Sequence, residues 1–354
     1  FKQKTAYEIR LSLVGSEMCI RDSFGVFMSL PQNEPTPEFN ARCIAVLDNW
    51  ESGSLPFKDA MDQMNTLGQE AKDCGCLPDQ GRVELLLGIM QGYRANLDAS
   101  ISHFERARDL FERAGNRRRA IMAVLNLGES YRLKGNFTRA RQLFRAAYEG
   151  AKELGVVETQ TIAAYNEALM LHSLGHPESA KNLLEKALQL ATGIPDDRMD
   201  QRIELTCECQ AALAEVYLKL NKPAEAWKMC LAAYNLACEI KQPLQMGSVH
   251  RSLGEVLTAL TFLPNDAPAV MSSEPDDHFR TATEAFQEIK ADGEVARTMY
   301  VHALSLAERG RSMTAARKLQ QAMIIFTRLG MADDAAKAAK AQMEVIANTT
   351  QGVG

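Results

Sequence analysis

Apolar residues recur at intervals of three and four along most of this chain, in paired blocks that short turns separate. Typical turns read KGN at 134–136 and LGHP at 174–177. The three-to-four interval places apolar side chains on one face of an α-helix, and glycine or proline marks the break between helices. The pattern therefore predicts a series of helical hairpins.

The hairpins carry landmark residues that return after a fixed step. The step is 40 residues (128 − 88), and it relates Gly88 to Gly128, Phe104 to Phe144, Ala107 to Ala147 and Gly115 to Gly155. One further step reaches Ala168, Leu184 and Ala187. Agreement at several independent positions indicates an internal repeat. The units cover 80–115, 118–155, 158–193, 199–240, 243–290 and 294–330, with a poorer one at 39–75.

Small side chains alternate with large ones inside each unit. Small residues allow paired helices to approach closely, and large ones fill the remaining space. In the first helices, the small positions are Gly128, Ala168, Ala214, Gly254 and Ala303. In the second helices they are Ala140, Ala180, Ala226, Ala282 and Ala315, and the large residues are Phe144, Leu184, Phe286 and Leu319.

The order L-G/A-x-x-Y/L, then G/N, then A-x-x-x-F/L-x-x-A resembles the tetratricopeptide repeat over about residues 80–330. The 40-residue step resembles the lengthened variety found in kinesin light chains and bacterial signalling regulators. The resemblance implies an all-α, right-handed α-solenoid of about six to seven helical hairpins. The segment ADDAAKAAKAQMEVIA at 332–347 predicts a C-terminal capping helix.

The first 23 residues share no period with the rest, and they resemble the translation of a sequencing-library adapter. We expect an artefactual leader at 1–23, with a genuine disordered leader as the alternative, and a disordered lead-in at 24–38. The solenoid is expected at 39–347 and a disordered tail at 348–354. An insertion at 261–277 is expected to be exposed and disordered, with a lid or partner-binding loop as the alternative.

Composition agrees with a helical protein, because alanine, leucine, glutamate, lysine, arginine and methionine dominate. A formal charge of −5 gives no bias toward nucleic acid or anionic membranes. No run approaches the roughly 18 apolar residues of a membrane span, and we expect a cytoplasmic protein. Of eight cysteines, four form C-x-C pairs at 74–76 and 207–209, a spacing unusual for zinc. Free thiols are the favoured interpretation, and a metal or redox role is the alternative.

Catalytic signatures are missing from the sequence. The six histidines form no H-x-x-x-H pattern, and no phosphate-binding loop, nucleophile elbow or dinucleotide fingerprint occurs. We therefore expect no enzyme activity, no cofactor and no metal.

Binding is the better prospect, along the concave face that the first helices of stacked hairpins line. Asn126 and Asn166 stand two residues before the small landmark of their units, and they resemble the asparagine ladder with which related long repeats hold an extended peptide backbone. A carboxamide both donates and accepts, as a backbone requires. The alternative is that both asparagines cap or bridge helices. The same register places these neighbours in the groove: Met122, Leu125, Glu129, Arg132, Ile162, Tyr165, Leu169, His172, Glu208, Glu215, Lys219, Arg251 and Glu255.

The segment from His103 to Arg145 is rich in positive charge, with eleven arginines and lysines against four acidic residues. A solvated helix face is the favoured interpretation, because much of the charge lies on second helices and turns, where ion pairing along a helix face and solubility explain it without a ligand. A docking surface for an acidic protein segment and a nucleic-acid site are the alternatives.

Taken together, these patterns predict a non-catalytic interaction module that binds a peptide or partner protein of unknown identity. Nucleic acid and membranes are not expected as partners. The alternative is the sensory or regulatory repeat region of a truncated bacterial signalling or transcription-regulating protein.

Overall fold

A computed structural model describes residues 33–51, 54–94, 96–289, 291–329 and 331–351. The predicted leader at 1–23, most of the lead-in and the end of the tail lie outside these residues, so the proposed domain limits remain predictions.

The described ranges form fifteen α-helices and one short 3₁₀ turn, and they contain no strand. The helices are α1 (Pro37–Glu51), α2 (Phe57–Asp73), α3 (Leu77–Tyr93), α4 (Leu97–Arg113), α5 (Arg117–Leu133), α6 (Phe137–Leu154), α7 (Val157–Ser173) and α8 (Pro177–Thr192). After the 3₁₀ turn Asp196–Arg198 follow α9 (Met199–Lys219), α10 (Pro223–Ile240), α11 (Pro243–Leu260), α12 (Pro275–Glu288), α13 (Asp292–Glu308), α14 (Ser312–Leu329) and α15 (Ala332–Gln351). The all-α repeat architecture is confirmed.

The chain divides into two compact units, one ending at Met170 and one beginning at Leu171. In the first unit, α3 packs on α4 and α5 on α6, and α4 also contacts α5. In the second unit, α9 packs on α10, α11 on α12 and α13 on α14, while α15 covers α14. Each unit is therefore a run of hairpins in which first helices also meet first helices, as α9 meets α11.

Glycine and phenylalanine hold the hairpins together, as the small and large landmarks predict. A Cβ on Gly88 would lie 2.6 Å from the ring of Phe104, and one on Gly128 would lie 2.8 Å from the ring of Phe144. Both rings are fully buried. Real Cβ atoms do not approach carbon this closely, so only glycine permits the observed helix separation.

The fifth repeat corrects one sequence assignment. In the hairpin of α11 and α12, Phe279 packs on Gly254 and Phe286 packs on Gly247. Phe279 is therefore the equivalent of Phe144, and the alignment of Ala282 and Phe286 with the other units was wrong by seven residues (286 − 279). The insertion between the two helices removes the fixed loop length on which the alignment depended.

Part of the insertion packs on the core of the second unit, which corrects the expectation of a wholly exposed loop. Met271 is 7% exposed and belongs to the apolar core of the second unit, with Leu263 and Ala267 packed against it. The indole Nε1 of the buried Trp227 donates to Asp266 Oδ1 over 2.8 Å. A buried indole N–H needs an acceptor, and the loop supplies it.

Candidate functional site

The two asparagines predicted to bind a peptide backbone lie on α5 and α7, in the first unit. Asn126 is 1% exposed, and its Nδ2 has no hydrogen-bond partner in the described part of the chain. Asn166, at the equivalent position one repeat later, is 7% exposed. An unsatisfied buried amide costs about 1–3 kcal/mol, so the fold itself gains little from the Asn126 side chain.

The neighbours predicted in this unit divide into buried and accessible groups. The buried group is Met122, Leu125, Glu129 and Ile162, and the partly exposed group is Arg132, Tyr165 and Leu169. Arg132 donates to the Glu129 carboxylate through Nε and Nη2, over 2.8 and 2.6 Å. The buried apolar members stabilise the packing of the unit, and their contact with a ligand stays a prediction.

In the second unit, the predicted residues meet around Arg251. Its guanidinium lies 3.8 Å from Glu215 Oε1, bonds to Glu294 and stands over the ring of Phe286 at 5.5 Å. Glu294 also accepts from Arg297, and these arginines overcome the effect of burial and lower its pKa to about 2. Sequence reasoning missed Glu294, although it lies on the next first helix, 43 residues after Arg251 (294 − 251).

Burial disfavours the ionised form of two other carboxyl groups in this unit. Burial, followed by the charge of Glu215, raises the pKa of Glu255 to about 8. Burial also raises the pKa of Glu208 to about 7, with a contribution from Glu204, although Gln245 Nε2 donates to it over 3.2 Å. A cationic group brought to these carboxyls would relieve both costs.

His172 and Lys219 belong to the same neighbourhood. Burial lowers the pKa of His172, the charge of Glu215 opposes that shift, and Lys219 adds to it. The structure thus brings together five predicted residues of the second unit: His172, Glu215, Lys219, Arg251 and Glu255.

The basic segment at 103–145 is largely neutralised by carboxylates from other helices. Arg106 bonds to Glu84, Arg141 and Arg145 bond to Glu167, and Lys134 bonds to Asp98. Arg117 pairs with Glu153. The segment therefore behaves as an ion-paired helix surface, which agrees with the favoured interpretation.

Sequence reasoning also missed Arg82, on α3. It is 0% exposed, and its guanidinium has no hydrogen-bond partner among the described residues. The signal was present in the repeat: a step of 40 from Arg82 reaches Met122 (122 − 82), and a second step reaches Ile162. A charged residue in an otherwise apolar column marks a position that packing alone does not explain.

The described residues contain no cluster of histidine, cysteine, aspartate or glutamate arranged to hold a metal ion. None of the helices in the described ranges is long and apolar enough to cross a membrane.

Comparison with known proteins assigns the repeat. A tetratricopeptide-repeat family model matches residues 79–153 and 120–193. No curated protein sequence matches the chain. The match identifies tetratricopeptide repeats at residues 79–193, in agreement with the helical hairpins of the fold.

Solved structures share the fold at low sequence identity. The apo form of RapI is 11% identical with a TM-score of 0.61, covering 86% of this chain and 99% of RapI. The Rap conjugation gene regulator of the plasmid pLS20, in complex with the Phr* peptide, is 15% identical with a TM-score of 0.60, covering 84% of this chain and 76% of that protein. NprR in complex with its cognate peptide NprX is 11% identical with a TM-score of 0.52, covering 97% and 99%.

Proposed function

We propose that this protein binds an extended peptide, or an extended segment of a partner protein, along the first helices of its repeats and catalyses no reaction. The observation that carries the proposal is the Asn126 amide, a buried donor without a partner at the position predicted to bind a peptide backbone. A ligand carbonyl would satisfy this donor, and Asn166 provides the same chemistry one repeat later.

In the second unit, the first helices present carboxyl groups at the predicted binding positions. Its half-buried carboxyl groups, Glu215 and Glu255 above all, favour a basic side chain or an amino group of the ligand. Two of the related structures hold peptides, Phr* and NprX, which supports a peptide as the ligand class. The cysteines of the described ranges are free thiols, in keeping with the proposed cytoplasmic location.

A peptide selected from a displayed random library on the full chain provides the ligand for the test. Its affinity is then measured by fluorescence polarisation for the wild type and for the double variant Asn126→Ala, Asn166→Ala. We expect the double variant to weaken binding by about 1–3 kcal/mol, or roughly 5-fold to 150-fold, because two carboxamide hydrogen bonds are lost. The melting temperature should hardly change, because the Asn126 Nδ2 group has no hydrogen-bond partner in the described part of the chain.

Asn182→Ala is the matched control, since Asn182 is exposed on a second helix. It should bind the peptide like the wild type. Equal affinity of the double variant, or a large fall in its melting temperature, would show that the two asparagines are not ligand-binding residues.

A peptide-responsive regulator is the second candidate function, favoured by relatives whose names describe a conjugation gene regulator and a quorum sensor. It predicts that the selected peptide changes the affinity of the chain for a second protein. Pull-down of partner proteins with and without the peptide separates this function from simple peptide binding.

A further inference from the structure

Arg82 is a buried cation that the fold leaves unsatisfied. All three guanidinium nitrogens lack a hydrogen-bond partner in the described ranges, and no part of the residue is exposed. Burial, followed by the nearby charge of Arg119, lowers its pKa to about 9, so the group is still a cation at neutral pH. Such a group normally occurs only with a carboxylate or another strong acceptor beside it.

A second buried cation near Arg82, Arg119 on α5, is paired with a carboxylate. Its Nε donates to Glu34 Oε2 over 2.5 Å, and Arg119 is only 8% exposed. The charge of Glu34 also reaches Arg82. Asp79, one turn before Arg82, is occupied elsewhere: its Oδ1 accepts from the Thr36 backbone N–H over 2.8 Å, and its Oδ2 accepts from the Thr36 hydroxyl. Among the described residues, these two buried guanidinium groups thus share the Glu34 carboxylate, which bonds to Arg119.

That carboxylate comes from a short segment of the chain, Asn33–Thr36, laid across the beginnings of α3 and α5. Asn33 Nδ2 donates to the Gly115 carbonyl over 3.0 Å, and Asn116 Nδ2 donates to the Asn33 carbonyl over 2.8 Å. The two asparagine amides and the ion pair join residues 82 to 85 positions apart, and the contacts of Asp79 with Thr36 join residues 43 positions apart. Polar contacts of this kind exchange for ligand contacts more readily than apolar packing does.

We propose that Arg82 and Arg119 form a binding site for a carboxylate group of the peptide ligand, and that Glu34 occupies part of this site until the ligand displaces it. The inference rests on the proposed function for the nature of the ligand. A carboxylate fits because the planar guanidinium fork binds two carboxylate oxygens at once, and because Glu34 shows that a carboxylate is accommodated on Arg119.

The test measures the thermal stabilisation of the full chain by glutarate, a small dicarboxylate, at constant ionic strength. Glutaramide, its uncharged analogue, is the matched probe. We expect glutarate, but not glutaramide, to raise the melting temperature in a saturable way. Glu34→Gln removes the competing carboxylate and should tighten glutarate binding severalfold.

Arg82→Met keeps an unbranched side chain about as long as the aliphatic part of arginine and removes the guanidinium charge. It should weaken glutarate binding roughly 10-fold to 100-fold, as expected for the loss of a charge-assisted hydrogen bond. Without ligand, this variant should melt at a temperature equal to or above that of the wild type, because the unsatisfied group is gone. If Arg82 only stabilised the fold, Arg82→Met would instead melt at a lower temperature than the wild type. Arg141→Met, which changes an exposed arginine, should leave glutarate binding unchanged.

Several results would overturn the proposal. If Glu34→Gln binds glutarate with the affinity of the wild type, the proposal is wrong, and this result holds even if Arg82→Met fails to fold. Equal binding of glutaramide would exclude charge recognition, and Arg82-dependent binding of inorganic phosphate in place of glutarate would assign the site to phosphate groups. Because Glu34→Gln and Arg82→Met leave Asn126 and Asn166 unchanged, and the double asparagine variant leaves both arginines unchanged, the two proposals are tested by different variants and fail separately.

Discussion

At the scale of single residues, the first helices contain glycines whose missing side chains determine how close the hairpins come. A Cβ on Gly128 would lie 2.8 and 2.9 Å from two carbons of the Phe144 ring, and 3.3 Å from the Cβ of Leu143. The Phe144 ring is fully buried, so it has no free direction in which to move. Gly150, on α6, differs: its Cβ would meet only the flexible end of Ile121.

We expect Gly128→Ala to destabilise the protein, although alanine is the better helix former. Overpacking a rigid ring costs typically about 1–3 kcal/mol, against a gain of about 1 kcal/mol in helix propensity. Urea unfolding followed by circular dichroism measures the difference.

Gly150→Ala is the control, and its stability should equal or exceed that of the wild type, because the end of Ile121 can turn aside. A Gly128→Ala protein as stable as Gly150→Ala would show that the glycine is not required by the ring.

At the scale of elements, the hairpin of α11 and α12 is joined by a loop that two histidines help to hold. His250 Nδ1 lies 2.9 Å from His278 Nδ1, and the rings are stacked at 5.1 Å. His278 Nε2 donates to the Ser272 carbonyl of the loop over 2.9 Å, which leaves its Nδ1 to accept from His250. This chain of bonds requires His278 to be neutral.

Acidification should therefore weaken this hairpin. Burial, and then the neighbouring His278, lower the pKa of His250 to about 4, whereas an unfolded histidine titrates near about 6.5. A lowered pKa means that the folded state prefers the neutral ring. The stability it contributes is complete above the unfolded pKa and is lost as the pH falls from about 6.5 toward 4.

Trp227 fluorescence reports this transition, because the Trp227 indole bonds to Asp266 of the loop. Between pH 7 and pH 5 we expect a loss on the order of 1–2 kcal/mol that is smaller in His250→Gln. His176→Gln, at an exposed histidine, should keep the wild-type pH dependence. The same dependence in all three proteins would exclude the histidine pair as its origin.

At the scale of the whole molecule, the chain divides into two compact units, and each contains one of the two tryptophans. Trp50 lies in the first unit and Trp227 in the second, both at least nine-tenths buried. In repeat proteins each element contacts mainly its neighbours, so stability is approximately a sum of local contributions. A destabilising change in one unit should then act mainly on that unit.

Single-tryptophan variants make this expectation measurable. Gly128→Ala in a Trp227→Phe background, where only Trp50 reports, should lower the urea midpoint. The same substitution in a Trp50→Phe background, where only Trp227 reports, should change the midpoint much less. Equal shifts in both backgrounds would mean that the units unfold as one cooperative body.

The sequence alone determined the fold and the places of closest helix packing. The period of 40 and the alternation of small and large residues predicted the hairpins, including the contacts of Gly88 and Gly128 with their phenylalanines. It also assigned Glu215, Arg251 and Glu255 to one register of the first helices; their contacts with one another come from the structure, and their role in binding stays a prediction. These features follow from local spacing, because helix geometry converts a fixed interval along the chain into a fixed direction in space.

Only the tertiary structure decided which polar groups are satisfied. The repeat predicted the position of Asn126 but not its unpartnered amide, and it gave no sign that Glu34 bonds to Arg119, 85 residues away (119 − 34). It also misaligned Phe286, because the insertion changes the length of the fifth unit. Burial and pairing depend on which distant segments meet, and a short-range pattern does not contain that information.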